Sequence, residues 1–483
     1  MNKLWANLAA CQKTELPDLK RFVASPYYNR QQELSLFLDI LLPYWPAFSD
    51  NMPDRTTIYA KIFPDVAFDE KQYRYLSSAL SKLVERFWTV RKCEENERIR
   101  AIDLLDSASE RGAHKTFRQV KRLLEKESDR SSAPPDSHYF LEQMHWSEVQ
   151  QKHFERSRER RYDDSIQRQN DHLDRYYFLE KMRLSCAMLD RQTIVAGDYN
   201  SGASDALIHS LKEQRFFEEP AIEMYYHVWC ALRHEAEEMH FSALLQQIRR
   251  ETRAIAMNDR QNIYRVAINY CARKIRQGQE AYVLTALELY KAGLEEKVFL
   301  QEGFLSPWTF TNVVKLSMRL QQYDWGESFI RDYAGELPPD FRENALHYNL
   351  AELFYYTRRS GEALLYLNQV AFSDLNYYLG ARVLLAKIYY EENAEEALLS
   401  LIAAFTIFLK RNRTISLDLK QTYLNFCEIL FQLVRRHPKK INFLGETIQN
   451  TALLTDRSWL LQQWEQHTKT SASRSFTSSS GIK

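Results

Sequence analysis

The scarcity of glycine restricts the possible folds of this chain more than any other feature of its sequence. Only 12 of its 483 residues are glycine, whereas the usual share of about 7% would give roughly 34. Tight β-hairpins and phosphate-binding loops rely on glycine because it adopts positive φ angles at little steric cost. The sequence therefore argues against a many-stranded β-fold, a Rossmann core and a P-loop, and it predicts an all-α protein.

Composition and charge indicate an ordinary folded protein. Hydrophobic residues make up 45% of the chain and charged residues 27%, proportions that exclude global disorder. The 65 Lys and Arg residues nearly balance the 64 Asp and Glu residues, which leaves a formal net charge of +1. Because the overall charge is close to zero, nothing global directs the chain to nucleic acid or to a membrane surface.

Cysteine usage predicts a reducing compartment. The six cysteines are far apart and form no Cys-x-x-Cys pair, so the sequence does not support a structural zinc site. We expect buried free thiols and a cytoplasmic location. One alternative stays open, because Leu8-Ala9-Ala10-Cys11 resembles a bacterial lipoprotein cleavage box and would anchor the chain through Cys11. No apolar run reaches the ~20 residues of a membrane-spanning helix, so we expect no transmembrane segment.

The helical patterning divides the chain into four predicted parts. We expect an N-terminal helical domain over 1–92, long charged helices over 93–202, helix pairs over 203–466 and a disordered, serine-rich tail over 467–483. The N-terminal domain contains an apolar helical stripe, formed by Tyr73, Leu76, Leu80, Leu83 and Phe87. Two capping boxes are predicted in the same domain, Asn29 with Gln32 and Asp69 with Gln72. Asp136 is a candidate cap for a later helix.

An internal repeat lies within the third part. One set of apolar and small residues comprises Leu350, Ala351, Phe354, Ala363, Leu367 and Val370. The counterparts, shifted by 35 positions for the first three and 34 for the last three, are Leu385, Ala386, Tyr389, Ala397, Leu401 and Ala404. A third, partial set at a shift of 34 contains Leu316, Ser317, Leu320 and Tyr333, with Phe329 at the position of Ala363. Such a period predicts stacked helix pairs that share a continuous core.

This spacing resembles the tetratricopeptide repeat, a helix-turn-helix unit of about 34 residues. The resemblance is carried by the adjacent Leu and small residue of the first helix, the aromatic residue that follows, and the Ala of the second helix. The chain departs from the family pattern because the first helices lack its usual Trp and the closing Pro is absent. The resemblance implies a right-handed α-solenoid with a concave face.

The resemblance also implies a function. In the tetratricopeptide pattern the concave face is lined by first-helix positions, which here are Tyr348, Glu352, Tyr355, Lys387 and Tyr390. We expect a non-enzymatic scaffold that binds a protein or peptide partner, with the tyrosines as apolar anchors and the two charged residues setting the register. The alternative for the tyrosines is that their rings pack between helices.

A second functional hypothesis concerns the basic C-terminal region. Clustered cations can bind phosphates of nucleic acid, and seven cations here form a candidate patch: Lys410, Arg411, Arg413, Arg435, Arg436, Lys439 and Lys440. Cations also accumulate at helix C-termini, where they interact with the helix dipole, and this explanation stays open.

The third hypothesis is a helical enzyme whose site is spread over several repeats. The chain contains no Gly-x-Ser-x-Gly, Gly-x-Gly-x-x-Gly or Gly-x-x-x-x-Gly-Lys motif, so we expect neither a catalytic residue nor a cofactor that such motifs would hold. His227, His234 and Glu238 would share one face of a single helix, with His240 in the following turn. We interpret these histidines as surface residues and predict no metal site.

Overall fold

The computed structural model describes residues 3–48, 52–130, 133–157, 160–192, 199–200, 208, 210–211, 219–234, 237–371, 375–413, 415–435 and 438–466. Within these ranges the protein is all-α, with 22 α-helices and one short β-hairpin. The predicted disordered tail, 467–483, lies outside the described residues. The prediction of an all-α protein is confirmed.

The chain divides into two compact units. The first contains Met1–Leu184, Ala203–Glu223 and Arg253–Ala256, and the second contains Ser185–Gly202, Met224–Thr252 and Met257–Lys483. The four-part division made from the sequence stays a prediction.

The first unit begins with five helices around one apolar core. These are α1 (Lys3–Ala9), α2 (Leu16–Ala24), α3 (Gln32–Leu41), α4 (Arg55–Ile62) and α5 (Glu70–Glu95). The predicted stripe of α5 is buried in this core, which also takes in Cys11. Asp69 is the N-cap of α5, since its Oδ1 accepts from the backbone N–H groups of Lys71 and Gln72. The predicted capping box is only half present, because the Gln72 Oε1 accepts from the Tyr59 hydroxyl.

The capping box predicted at Asn29 is wrong. Helix α3 begins at Gln32 itself, so Gln32 occupies the first helical position instead of the third. The Asn29 side chain makes a local turn, because Oδ1 accepts from the Gln31 N–H at 2.8 Å and Nδ2 donates to the Val23 carbonyl at 2.8 Å. Asn commonly bonds to backbone two residues ahead, and this competes with its use as a cap.

Four longer helices follow, and the last of them reaches into the second unit. These are α6 (Glu97–Glu110), α7 (His114–Arg130), α8 (Ser137–Ser157) and α9 (Ser165–Gln192). Helix α6 packs against α7 and α8, and their apolar side chains form a separate core around Leu105 and Leu124. Asp136 caps α8 as predicted, through the Tyr139 N–H at 2.8 Å.

The remaining helices follow one another in closely spaced pairs. They are α10 (Pro220–Arg233), α11 (Glu238–Glu251), α12 (Met257–Arg276), α13 (Ala281–Glu295), α14 (Pro307–Arg319), α15 (Tyr323–Tyr333), α16 (Pro339–Tyr356), α17 (Ser360–Leu367), α18 (Leu375–Glu391), α19 (Glu395–Arg411), α20 (Leu417–Arg435), α21 (Pro438–Asn450) and α22 over 457–466. Between α13 and α14, strands β1 (Leu300–Gln301) and β2 (Phe304–Leu305) form the hairpin.

The pairs stack in sequence within the second unit. Helix α12 packs on α13, α14 on α15, α16 on α17 and α18 on α19. The first helices of successive pairs also touch, since α14 contacts α16 and α16 contacts α18. The protein is therefore an all-helical, helical-repeat-like molecule, as the sequence period indicates.

The same turn ends the first helix of four pairs. Gly278, Gln321, Arg358 and Asn393 each have a positive φ. In each turn the following N–H group donates to the carbonyl five residues earlier, as from Gln322 to Ser317 at 2.9 Å and from Arg359 to Phe354 at 2.8 Å. This is the Schellman motif, which usually places glycine at the left-handed position. Three of the four turns have another residue at this position, which is one reason that the chain contains few glycines.

The turns correct the predicted spacing of the repeat. The turn residues Gln321, Arg358 and Asn393 are 37 and 35 positions apart. The first interval contradicts the shift of 34 predicted for the earlier unit, and the second agrees with the shift of 35 predicted for the first helix of the later unit. Ala397 and Ala404 are exposed, and the prediction that they match Ala363 and Val370 is wrong. A constant shift of 35 instead aligns Ala363, Leu367 and Val370 with three buried residues of α19. These are Leu398, Ile402 and Phe405.

The third repeat unit is corrected in the same way. A shift of 37 places Gly326, and not Phe329, at the position of Ala363. A Cβ atom on Gly326 would lie 2.6 Å from the Ser317 Oγ, so the absence of a side chain lets α15 approach α14. Gly326 and Ala363 thus have the role that the repeat pattern predicts for a small residue, whereas the next unit has Leu398 at this position.

Two further predictions from the sequence concern the cysteines and membrane-spanning helices. Five of the six cysteines are buried, Cys93 is exposed, and none forms a disulfide. Cys11 is 3% exposed, and its thiol donates to the Asn7 carbonyl at 3.6 Å. Among the described helices, none combines the length and the apolar character that crossing a bilayer requires.

Candidate functional site

The main candidate site is a cavity of about 530 Å³ in the second unit. Its walls come from α14, α16, α18 and α20, and from the turn that precedes α22. We call it the aromatic cavity. The residues that line it are Pro307, Trp308, Thr311, Lys315, Phe341, Tyr348, Glu352, Tyr377, Gly380, Val383, Leu384, Lys387, Tyr423, Thr455 and Asp456.

Five aromatic side chains give the cavity its apolar surface. Trp308, at the start of α14, is 74% exposed, and Phe341 is 36% exposed. The rings of Tyr348 and Tyr377 lie 5.5 Å apart between centroids. The Tyr377 hydroxyl is 3.2 Å from the Thr311 hydroxyl, which fixes the ring against α14. An exposed tryptophan beside buried and half-buried tyrosines is typical of protein-binding surfaces.

A glycine shapes the floor of the cavity. A Cβ atom on Gly380 would lie 2.9 Å from both Cε2 and the hydroxyl oxygen of Tyr348. The absence of a side chain on α18 therefore lets the Tyr348 ring approach the helix closely. Burial and the nearby Glu352 carboxyl both raise the pKa of the Tyr348 hydroxyl well above its usual value, so it stays protonated.

Charged residues occupy one equivalent position in three successive first helices. Lys315, Glu352 and Lys387 each precede the left-handed turn residue of their helix by six positions. Because the helices stack in order, the charges alternate along the cavity as cation, carboxylate and cation. The sequence identified Glu352 and Lys387 but missed Lys315, since the assumed shift of 34 does not connect Lys315 with Glu352.

Glu352 is the least satisfied of these groups. Its Oε2 is closed off from water, and no hydrogen-bond donor contacts that atom within the described part of the chain. Burial raises the pKa of the Glu352 carboxyl, and Lys315 and Lys387 oppose this effect without cancelling it. A carboxylate in such surroundings is expensive to ionise.

Lys387, by contrast, is already paired. Its Nζ donates to Asp456 Oδ1 at 2.8 Å, and the residue is 8% exposed. The same ammonium lies 5.1 Å from the centre of the Tyr355 ring and 5.6 Å from that of Trp459. The protein's own C-terminal segment thus contacts a residue that the sequence assigned to a partner.

A second cavity of about 460 Å³ adjoins the first at Lys387 and Asp456. Tyr355 and Trp459 line it, and both donate to Glu391 Oε1, at 2.6 Å from the Tyr355 hydroxyl and 2.8 Å from the Trp459 Nε1. The polar ends of these two side chains are therefore occupied. We call this the C-terminal cavity.

The structure separates the five predicted binding residues into three places. Tyr348, Glu352 and Lys387 line the aromatic cavity, and Tyr355 lines the C-terminal cavity. Tyr390 lines a small recess of about 50 Å³, and its ring packs edge-on against Trp459 at 5.4 Å. Lys387 lines the C-terminal cavity as well, together with Tyr355. The role of the five residues in partner binding stays a prediction.

Sequence reasoning missed several residues of the aromatic cavity. Trp308, Thr311 and Lys315 repeat at three- and four-residue steps on one face of α14, a pattern that could have been found from the turn spacing. Asp456 had no such signal, because its contact with Lys387 joins positions 69 apart.

The basic region is only partly described. Lys410, Arg411, Arg413 and Arg435 are exposed. The guanidinium group of Arg435, the last residue of α20, lies 5.4 Å from the centre of the Phe431 ring. Arg436 and the side chains of Lys439 and Lys440 lie outside the described residues. Phosphate binding by this region therefore stays a prediction.

The histidines are arranged differently from the prediction. Helix α10 ends at Arg233, so His234 and Glu238 do not continue the helix face that carries His227. His240 lies in the first turn of α11, and its Nδ1 is 3.2 Å from that of His227. The described ranges contain no group of three or more metal-ligand side chains.

Comparisons with family models, with curated proteins and with solved structures find no match to this chain.

Proposed function

We propose that the protein is a non-enzymatic helical-repeat scaffold that binds a peptide segment of a partner in the aromatic cavity. The observation that carries this proposal is the set of five aromatic side chains around one open cavity, with Trp308 74% exposed at its rim. Large rings at the centre of an interface supply most of its binding energy. Their cost in side-chain entropy is small, because each has few rotatable bonds.

The arrangement of the helices supports the same proposal. The cavity is lined by the first helices of three successive pairs, α14, α16 and α18. We propose that these pairs form a right-handed, tetratricopeptide-like stack, in which first helices line the concave face. A crystal structure of the full chain would test the handedness, and a left-handed stack would contradict it.

Peptide selection tests the function directly. Random dodecapeptides are selected on the immobilised full chain, and individual binders are synthesised with a dye and titrated by fluorescence anisotropy. We expect Trp308→Ala to weaken their binding by about 30-fold, which corresponds to the loss of an aromatic contact worth about 2 kcal/mol. Trp308 is exposed, so its removal should leave the fold intact.

Phe443→Ala serves as the matched control. Phe443 is an aromatic residue of the same unit, is 68% exposed and does not line the cavity. Peptides that bind both variants as well as they bind the unmodified protein would place recognition elsewhere and contradict the proposal. The absence of any selected peptide would contradict it as well.

A further inference from the structure

The aromatic cavity holds two cations and two carboxyl groups, but they are not equally matched. Lys387 and Asp456 form an ion pair at 2.8 Å. Lys315 is exposed, and no ion pair joins it to another side chain in the described ranges. Glu352 is the remaining group, and its Oε2 has neither water access nor a hydrogen-bond donor there. The unsatisfied polar group of the cavity is therefore a carboxyl.

The surroundings of Glu352 suit a cation. Tyr348, Tyr377 and Tyr423 line the same cavity. The faces of aromatic rings attract ammonium and guanidinium groups, more strongly where water is excluded. A carboxylate beside several rings therefore offers a cation both a counter-charge and a cage.

We infer that the aromatic cavity takes a Lys or Arg side chain of the partner segment, with its cationic end against Glu352 and between the tyrosine rings. This inference rests on the proposed function and adds the chemistry of the residue that is recognised. The aliphatic part of a Lys or Arg side chain would lie along the apolar wall formed by Val383 and Leu384.

An acidic side chain fits the cavity less well. It would meet two carboxyl groups, Glu352 and Asp456, and the ammonium of Lys387 is already used by Asp456. Only Lys315 would attract it, and Lys315 is exposed, where water and salt weaken such an attraction. Burial also raises the pKa of Glu352, and an incoming cation would favour its ionised form.

An array of nonapeptides tests the inference. The peptides carry Lys, Arg, norleucine or Glu at the centre within matched sets of flanking sequences. Norleucine keeps the aliphatic chain of Lys and removes the charge. For the unmodified protein we expect Lys and Arg peptides to bind about tenfold or more tightly than norleucine peptides.

Three variants test which side chain causes the expected preference for Lys and Arg peptides. Glu352→Gln should weaken the binding of Lys and Arg peptides by about tenfold to a hundredfold, and it should change the affinity for norleucine peptides by no more than about twofold. Lys315→Met should strengthen the binding of Lys and Arg peptides by about two- to fivefold, because it removes a competing cation. Glu343→Gln is the matched control, since Glu343 is exposed on the same helix and does not line the cavity.

The outcomes show whether the charge assignment fails alone or together with the proposed function. If norleucine peptides bind as well as Lys peptides and Trp308→Ala still removes binding, peptide recognition stands and the charge assignment is overturned. If Glu peptides bind best, the cavity recognises an acidic segment and the inference is also overturned. If no peptide binds, both fall together.

Discussion

The Nζ atom of Lys387 lies 2.8 Å from Oδ1 of Asp456, and this contact joins α18 to the turn before α22, 69 positions further along the chain. The lysine side chain is 10% exposed and the aspartate side chain 28% exposed. The ion pair forms one wall of the aromatic cavity and also separates it from the C-terminal cavity. It therefore links the stability of the C-terminal segment to the shape of the candidate site.

Removing the charge of Asp456 should destabilise the protein. Asp456→Asn keeps the size of the side chain and tolerates the positive φ of 49° at this position. We expect a loss of about 2–3 kcal/mol in the free energy of unfolding, because the nearly buried Lys387 ammonium loses its counter-ion. Denaturant titration monitored by circular dichroism measures the change.

A double variant provides the control. Lys387→Met in the Asp456→Asn background removes the uncompensated cation, so the double variant should be more stable than Asp456→Asn alone. Equal stability of the two proteins would mean that the ion pair contributes nothing beyond the aspartate itself.

The sequence predicted the fold well where the signal is local. Leu350, Ala351 and Phe354 are all buried as the repeat requires. The error arose across the turn inside the helix pair, where the predicted shift changed from 35 to 34, so Ala404 was assigned to the core although it is exposed. A helix advances about 100° per residue, so an error of one residue in the period rotates a buried position toward the surface.

The candidate site was predicted only in part for a different reason. Tyr348 and Glu352 were assigned through the resemblance to the tetratricopeptide pattern, and both line the cavity. The pairing of Lys387 with Asp456, and of Trp459 with Glu391, depends on how the C-terminal segment folds back within the second unit. Hydrophobic periodicity specifies which face of a helix is buried, but it does not specify which distant segment covers that face.

Replacing a turn residue with glycine should stabilise the repeat. Gln321 has φ of 57° and is exposed at the end of α14. A non-glycine residue in this conformation costs about 1 kcal/mol, so Gln321→Gly should raise the free energy of unfolding by about 0.5–1 kcal/mol. The midpoint of thermal unfolding, followed by circular dichroism, should rise accordingly.

Ala404→Gly tests whether the effect is specific to the turn. Ala404 is exposed inside α19, where glycine costs about 1 kcal/mol relative to alanine. We expect the midpoint to fall for this variant. If the unfolding midpoint of Gln321→Gly also falls, the Gln321 side chain stabilises the folded protein by more than the strain of its backbone destabilises it.

Glu352 should make stability depend on pH. Burial raises the pKa of its carboxyl above the ordinary value of 4.5, against the opposing charges of Lys315 and Lys387 and with the added repulsion of Asp456. The folded protein then binds more protons than the unfolded chain, so this group lowers stability as the pH rises above about 4.5. Glu352→Gln, which mimics the neutral carboxyl, should be more stable than the unmodified protein at pH 8.

The gain from Glu352→Gln should shrink as the pH is lowered toward 4.5, because the raised pKa lets the folded unmodified protein protonate its carboxyl first. Denaturant titrations at pH 5, 6.5 and 8 measure the difference in the free energy of unfolding between Glu352→Gln and the unmodified protein. Glu343→Gln is the control. A gain that is the same at all three pH values would show that the ionisation of Glu352 is not its cause. Such a trade of stability for an unpaired buried group is common at binding sites.

The contact between His227 and His240 should make the second unit sensitive to acid. Burial and the neighbouring His240 lower the pKa of His227 from 6.5 to about 4. With Nδ1 atoms 3.2 Å apart, one ring must donate and the other accept, so protonation of both breaks the hydrogen bond. Because the unfolded chain binds more protons than the folded protein between pH 6.5 and 4, stability is complete above pH 6.5 and is lost as the pH falls toward 4.

His227→Asn should reduce this loss, since asparagine does not titrate. After allowance for partial exposure we expect about 2 kcal/mol less destabilisation between pH 6.5 and 4 than in the unmodified protein. His234→Asn is the matched control, because His234 is exposed just beyond the end of α10. Parallel pH profiles for the unmodified protein and His227→Asn would mean that the acid sensitivity of the second unit arises elsewhere.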